Sequence, residues 1–107
     1  MDFIKNIYIG ENIKNEDINN IYDFLKRKIP MFNIYCICIK KKSRHILEIL
    51  KSSELFSNKC ENKDYVIVGI AKGRRQALRL TTNIFEDCIN KGIDIMEVKQ
   101  ALLNNEI

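Results

Sequence analysis

The chain has 107 residues, of which 46% are apolar and 30% are charged, and its formal net charge is +4. This length fits one domain over residues 1–107 and leaves no room for a second, and the composition excludes the need for a stabilising disulfide or metal. No stretch approaches about 18 uninterrupted apolar residues, and the first residues lack the pattern of a secretory signal. We therefore expect a cytoplasmic protein with no membrane segment.

Residues 3–9 are rich in Ile and Tyr and predict a first strand. Asn15 predicts the cap of a first helix, since acidic residues follow it and apolar residues recur at helical spacing as far as Ile29. Pro30 fits just beyond the end of that helix. The apolar run over residues 32–39 predicts a second strand that is covered on both faces, as in a buried parallel sheet.

The segment of residues 45–50 allows two interpretations. Ser43 can cap a second helix over this segment, with its apolar side chains pointing inward. The same residues also fit the returning strand of a hairpin, which would add an antiparallel strand to a mixed sheet. Residues 65–71 then predict a third main strand that is apolar on both faces.

A long helix is predicted over residues 74–91, with Gly73 in the turn before it and Gly92 as its left-handed stop. Asp94 with Glu97 predicts a capping box for a last short helix. The predicted order is βαβαβαα. It indicates a compact α/β domain whose three-stranded sheet is mainly parallel, with helices packed on it.

The four cysteines do not indicate a disulfide framework. Cys36 and Cys38 lie two apart in a predicted strand, a spacing that is unsuited to a bridge between them, so a reducing compartment is the simpler interpretation. A metal site built from these two with Cys60 and His45 matches no zinc spacing. We interpret the strand cysteines as small apolar packing residues.

Basic residues concentrate in the loops that follow the predicted strands. In an open parallel sheet, ligands bind beyond the carboxyl ends of the strands. If the strands are parallel, these loops meet at one basic rim, which holds Lys40, Lys41, Lys42, Arg44, Lys72, Arg74 and Arg75. Such a cluster repels itself unless solvent, salt or a bound anion compensates it.

The start of the third helix is the strongest indication of a site. It offers no side-chain cap and places cations in its first turn, where the helix dipole disfavours them by roughly 0.3–1 kcal/mol each. Open N–H groups and nearby arginines together predict an anion site. The candidate ligand-binding residues are Lys72, Gly73, Arg74, Arg75, Arg79 and Lys41. The competing interpretation is a solvated basic face, which basic loops usually form. The segment also lacks the Gly-Lys-Ser/Thr ending of a Walker sequence.

No catalytic residue is assigned. His45 lies between Arg44 and Ile46 with no acidic neighbour in sequence, so as a general base it would lack a group to orient it. No nucleophile has an evident partner base, and no cofactor is indicated. The sequence therefore favours a binding role over an enzyme.

Three segments taken together resemble a group of small clostridial proteins that carry no assigned function: IYIGENI, NIYCICI and YVIVGIAKGRRQALRL. The frequent Ile, Lys and Asn are similar to the usage of an AT-rich Firmicute. The resemblance covers most of the chain and implies a bacterial, cytoplasmic, single-domain protein. It brings no catalytic or binding residues with it.

The leading hypothesis is a non-enzymatic module that binds an anionic ligand at the basic rim, either a phosphorylated metabolite or an acidic protein surface. Nucleic-acid binding through the same rim is less favoured, because Tyr8, Tyr35 and Tyr65 lie within apolar strands. A small dimeric adaptor or regulatory protein is the third possibility. Sheet edges and the last helix, with Val98, Leu102 and Leu103, would form its contact.

Overall fold

In a computed structural model, which describes residues 1–58 and 60–105, four strands form one sheet with helices on both faces. The strands are β1 (Asp2–Ile9), β2 (Ile34–Lys40), β3 (Glu48–Lys51) and β4 (Tyr65–Lys72). The helices are α1 (Asn15–Lys26), α2 (Ser52–Leu55), α3 (Arg74–Asn90) and α4 (Val98–Leu103). Single 3-10 turns precede β4 and α4, at Asn62–Asp64 and Ile95–Glu97. The chain is thus a compact α/β domain, as predicted.

The sheet is mixed and has the order β1-β4-β2-β3. β1 runs parallel to β4, whereas β2 runs antiparallel to both β4 and β3. Ile34 at the start of β2 therefore lies opposite Lys72 at the end of β4, and Lys40 lies opposite Tyr65. The prediction of a mainly parallel three-stranded sheet is wrong. The alternative of a mixed sheet, with an antiparallel strand near residues 45–50, is confirmed.

The direction of β2 follows from the path of α1, which leaves the sheet and returns to it at the same end. Gly10 donates its N–H to the carbonyl oxygen of Ile70 at 2.8 Å, and Gly73 donates its N–H to that of Asn33 at 2.8 Å. Both connections lie at the carboxyl end of β4, so α1 is not the crossover that a parallel β2 would require. A continuous apolar run indicates that a strand is covered on both faces, but it does not indicate whether the strand is parallel or antiparallel to its neighbours.

A hairpin of β2 and β3 replaces the helix that was considered for residues 45–50. Ser43 does not cap a helix; its Oγ accepts a hydrogen bond from the N–H of His45 at 3.0 Å within the connecting turn. Ile49 and Leu50 then lie opposite residues of β2. Pairing is favoured because β3 covers an edge of β2 that would otherwise expose its backbone groups.

Of the helix boundaries that were predicted from local turn chemistry, the end of α3 is confirmed. Gly92 has a φ of +80° and follows the end of α3 in the left-handed conformation. Asp94 accepts the N–H of Met96 on its Oδ1 at 3.1 Å and so caps the 3-10 turn Ile95–Glu97. The predicted capping box of Asp94 with Glu97 is wrong, because α4 begins after Glu97 without a side-chain cap. The predicted cap of α1 is wrong, because Asn15 is the first residue of that helix and Lys14 precedes it without a side-chain bond.

The core lies in two layers, one on each side of the sheet. α3 and α4 cover one face around Val68, and α1 and α2 cover the other around Ile67. Cys36 and Cys38 are fully buried in the second layer, so their interpretation as packing residues is confirmed. Burial raises the pKa of the Cys36 thiol to about 12. Among the described residues, no helix is both long enough and apolar enough to cross a bilayer.

Candidate anion site

The sheet separates the cations that were predicted to share one rim. Lys40 lies opposite Tyr65 at the start of β4, while Lys72 is the last residue of that strand. The two ends of β4 are roughly 23 Å apart at the usual rise per residue in a strand. Lys41 therefore does not join the other candidate ligand-binding residues, and the expectation that all three loops meet at one rim is wrong.

A lysine from α4 holds the hairpin loop (residues 41–47) that connects β2 to β3. Lys99 donates from Nζ to the carbonyl oxygens of Lys40 at 2.8 Å and of Ser43 at 2.5 Å. Charge-assisted hydrogen bonds of this kind are stronger than neutral ones, so they fix the path of the loop. The sequence does not mark this role, because Lys99 lies 59 residues along the chain from Lys40.

Acidic residues also restrain the lysines of the hairpin loop. Lys41 Nζ lies 3.9 Å from Oδ2 of Asp2. The backbone N–H of Lys41 donates to the carbonyl oxygen of Asp64, and that of Lys42 donates to Oδ2 of Asp64, in each case at 3.1 Å. The charge of Lys41 is thus paired with one exposed carboxylate, and Asp64 restrains the backbone of the loop. Among the described residues, Lys42 and Arg44 take part in no ion pair.

The basic corner, where β4 passes into α3, comprises Lys72, Gly73, Arg74 and Arg75. Gly73 has a φ of +91°, which favours glycine, and no side chain caps the helix that follows it. The first turn of α3 holds no acidic residue, and the three cations are exposed. Within residues 1–58 and 60–105, none of these cations takes part in an ion pair.

Arg79 lies one turn beyond the basic corner and has an acidic partner. Its Nη1 is 3.8 Å from Oε2 of Glu11, which follows β1, and both side chains are more than half exposed. Exposed pairs contribute about 0–1 kcal/mol to stability, so this contact matters little for folding. It nevertheless compensates the charge of Arg79. Arg74 and Arg75 are thus the arginines best placed to pair with a ligand.

A cavity of about 340 Å³ opens beside the basic corner, and we call it the ring cavity because two aromatic side chains line it. Its lining includes Asn12, Lys14, Phe24, Phe32 and Lys72. Asn12 donates from Nδ2 to the carbonyl oxygen of Lys72 at 2.9 Å, which ties the loop after β1 to the end of β4. Apolar and aromatic walls with a few polar groups are typical of small-molecule sites.

Phe32 is the site residue that sequence reasoning misplaced. The apolar run predicts it within a strand, but it precedes β2, and its side chain is 97% exposed. The buried Oγ of Ser52 accepts the N–H of Met31 and donates to the carbonyl oxygen of the same residue, both at 2.9 Å. Asn33 has a φ of +61°. Pro30 and Asn33 both favour turns, so they were the residues in the sequence that could have placed Phe32 in a turn before the strand.

Two other candidate reactive groups lie away from the basic corner. Cys60 borders a wider cavity, of about 630 Å³, together with Lys40 and Tyr65. Burial raises the pKa of the Cys60 thiol, so this group is protonated at neutral pH and is a weak nucleophile. His45 is exposed in the hairpin loop. The part of the chain that the structure describes contains no group of three or more potential metal ligands.

Comparison with protein-family models, with curated proteins and with solved structures finds no match to this chain. The candidate site therefore rests on three features of its own geometry. These are the uncapped start of α3, the exposed cations around it, and the adjoining ring cavity.

Proposed function

We propose that the protein is a non-enzymatic module that binds an anionic small molecule, a phosphorylated metabolite, at the basic corner. The observation that carries this proposal is the start of α3, where Arg74 and Arg75 occupy the first helical positions without a capping side chain or an acidic neighbour in the turn. An anion there would accept hydrogen bonds from open N–H groups and from guanidinium groups together.

Electrostatics at this helix end favours a ligand. A cation in the first turn opposes the helix dipole and costs about 0.3–1 kcal/mol at an exposed position. α3 has 17 residues and carries two such cations, while α1 has acidic residues in its first turn. A bound anion would turn an unfavourable arrangement into a favourable one.

The shape of the surface favours a small molecule over an acidic protein surface. The ring cavity adjoins the basic corner through Lys72, which lines the cavity and immediately precedes Gly73. Its volume of about 340 Å³ lies in the range of small-molecule pockets. A protein partner would instead require a broad, flat contact surface.

The test is a thermal-shift titration with inorganic phosphate, pyrophosphate, sugar phosphates and nucleotides. A ligand at about 100 times its dissociation constant stabilises a protein by about 2.7 kcal/mol, which corresponds to at least about 10 °C for a domain of this size. The double variant Arg74→Ala with Arg75→Ala should abolish the shift. The matched control is Lys42→Ala with Arg44→Ala, which removes two exposed cations from the hairpin loop. Indifference of the wild-type melting temperature to every anion would refute the proposal.

A second candidate function is nucleic-acid binding at the same corner, and the exposed ring of Phe32 is the observation that favours it. This alternative predicts retained RNA or DNA at low salt and affinity that falls steeply as salt rises. A homodimer, a cytoplasmic location and a clostridial origin stay predictions. Val98 and Leu102 are buried within the monomer, so a dimer contact would have to use other residues.

A further inference from the structure

Phe32 presents nearly its whole side chain to water. It is 97% exposed, against 37% for Phe24, the other ring that lines the ring cavity. Leaving such a ring in water forgoes the gain that burial would bring. Exposed aromatic residues next to a cavity are typical anchors for a ligand.

The backbone that carries Phe32 is restrained on both sides. Ser52 bonds both backbone groups of Met31, and Gly73 donates its N–H to the carbonyl oxygen of Asn33 at 2.8 Å. The ring therefore projects from a fixed segment. Binding against it does not require a loop to become ordered, so little conformational entropy is lost.

The lining of the ring cavity matches the chemistry of a nucleobase. Phe24 and Phe32 offer aromatic surface, on which any base can stack. Asn12 and Asn20 add side-chain amides, which recognise the edges of bases by hydrogen bonds. The Nδ2 of Asn12 is already bonded to Lys72, which leaves its Oδ1 as an acceptor.

The charges around the ring cavity indicate that the ligand carries an anionic group beside its base. Lys14 and Lys72 line the cavity, with Asp17 as its acidic member, and Arg74 follows two residues after Lys72. Lys72 thus belongs both to the lining of the cavity and to the basic corner, and it connects the two regions. A base that carries a phosphate satisfies both regions at once, whereas a neutral ring compound leaves the cations without an anion.

We propose that the phosphorylated ligand is a nucleoside phosphate, with its base in the ring cavity against Phe32 and its phosphate at the basic corner. This inference rests on the function proposed above. A free nucleotide fits better than a nucleic-acid strand, because a strand requires cations that continue along a groove. Beyond the basic corner, Arg79 is instead paired with Glu11.

The experiment is an NMR titration of the ¹⁵N-labelled full chain with the four ribonucleoside 5′-monophosphates, ribose 5-phosphate, inorganic phosphate and a mixed-sequence RNA hexamer. At least one monophosphate should bind about tenfold or more tightly than ribose 5-phosphate. Phe32→Ala should weaken that nucleotide at least about fivefold and leave ribose 5-phosphate unchanged. Phe32→Leu, which keeps apolar area but removes the ring, should also weaken it. Met96→Ala, at an apolar residue that is 84% exposed outside the cavity, should change neither affinity.

The outcomes separate this inference from the proposed function. Equal affinity for ribose 5-phosphate and every nucleotide, with no effect of Phe32→Ala, would overturn the nucleoside assignment and leave a phosphate site. Absence of binding by all phosphates would overturn both proposals. Binding of the hexamer without any mononucleotide would overturn the assignment in favour of a surface for single strands.

Discussion

Basic loops occur at both ends of the antiparallel pair β2 and β4, and the rest of the fold contacts them differently. At the hairpin loop, Asp2 pairs with Lys41, Asp64 accepts a backbone N–H group, and Lys99 bonds backbone carbonyl oxygens. At the basic corner, Arg74 and Arg75 have no acidic partner among the described residues. The two basic loops thus differ in how strongly neighbouring elements of the fold hold them.

The difference shows how a basic segment can be interpreted once its contacts are known. A loop whose backbone is held by hydrogen bonds from neighbouring elements serves the fold, whereas cations placed against a helix dipole are the ones available to the proposed ligand. We therefore expect changes at the hairpin loop to alter stability without altering anion binding. Changes at the basic corner should do the reverse.

The largest expected effect on stability comes from Lys99→Met in α4, which frees the hairpin loop from that helix. This change removes charge-assisted hydrogen bonds to the carbonyl oxygens of Lys40 and Ser43, and it should lower the free energy of unfolding by about 2 kcal/mol. Urea unfolding monitored by circular dichroism measures the loss. Phosphate-induced stabilisation should be unchanged. A Lys99→Met protein as stable as the wild type would contradict the inference that these contacts of the hairpin loop stabilise the fold.

Next in size is the effect of Tyr8→Phe, which removes a contact between β1 and α3. The Tyr8 hydroxyl donates to Oδ2 of Asp87, and its loss should cost about 1 kcal/mol. Tyr22→Phe, at a tyrosine outside this contact, is the matched control. A loss of stability in Tyr8→Phe that Tyr22→Phe does not show would mean that this contact holds α3 to β1.

The same Tyr8–Asp87 contact makes stability depend on pH at both extremes. The hydrogen bond from Tyr8 lowers the pKa of Asp87 below 3.8, so its contribution is complete above that pH and is lost as the pH falls through the folded-state value. Burial, and then the bond to Asp87, raises the pKa of Tyr8 above 10.0, so its contribution is complete below pH 10 and declines above it. In Tyr8→Phe, unfolding measured from acid to alkaline pH should show both dependences reduced. An unchanged pH profile would contradict this.

A smaller effect, of opposite sign, is expected from Arg74→Ala with Arg75→Ala in the absence of ligand. Removing cations from the first turn of α3 relieves their conflict with the helix dipole and should raise stability by up to about 1 kcal/mol. Differential scanning calorimetry in buffer of low ionic strength measures the gain. A clear loss of stability would show that these arginines serve the fold, as the lysines of the hairpin loop do.

The smallest effect on stability is expected from Phe32→Ala. The side chain is 97% exposed and its loss leaves no cavity in the core, so the free energy of unfolding should change by less than about 0.5 kcal/mol. Thermal unfolding of the wild type and the variant is the measurement. A loss above about 2 kcal/mol would mean that the ring is covered in solution and belongs to the fold.

Local chemistry made much of this fold predictable from the sequence. Gly73, Gly92 and Asp94 act within a few residues of themselves, so their turns and caps could be assigned without knowledge of distant neighbours. The extents of β4 and α3 follow from apolar patterns that burial imposes directly. For the same reason, the basic start of α3 could be identified as a candidate site.

What could not be predicted depends on long-range contacts. The direction of β2 is set by its pairing with β4, and an apolar run is compatible with either direction. Because β2 is antiparallel to β4, Lys41 lies at the end of the sheet opposite to the basic corner. Phe32 has the hydrophobicity of a core residue, but long-range hydrogen bonds hold the backbone of its neighbours Met31 and Asn33, so it lies before β2.

The edge position of β1 has a consequence for how the chain folds. This strand joins the sheet only through β4, with Ile9 opposite Ile70, so its docking closes a loop that contains most of the molecule. The entropy of such a closure makes it a late event, whereas β2, β3 and β4 pair across shorter connections. We expect an early species with three strands and an unprotected β4 margin, which could recruit a second chain at high protein concentration. Pulse-labelling hydrogen exchange would show it as delayed protection of the β1 amides, and simultaneous protection of all four strands would exclude it.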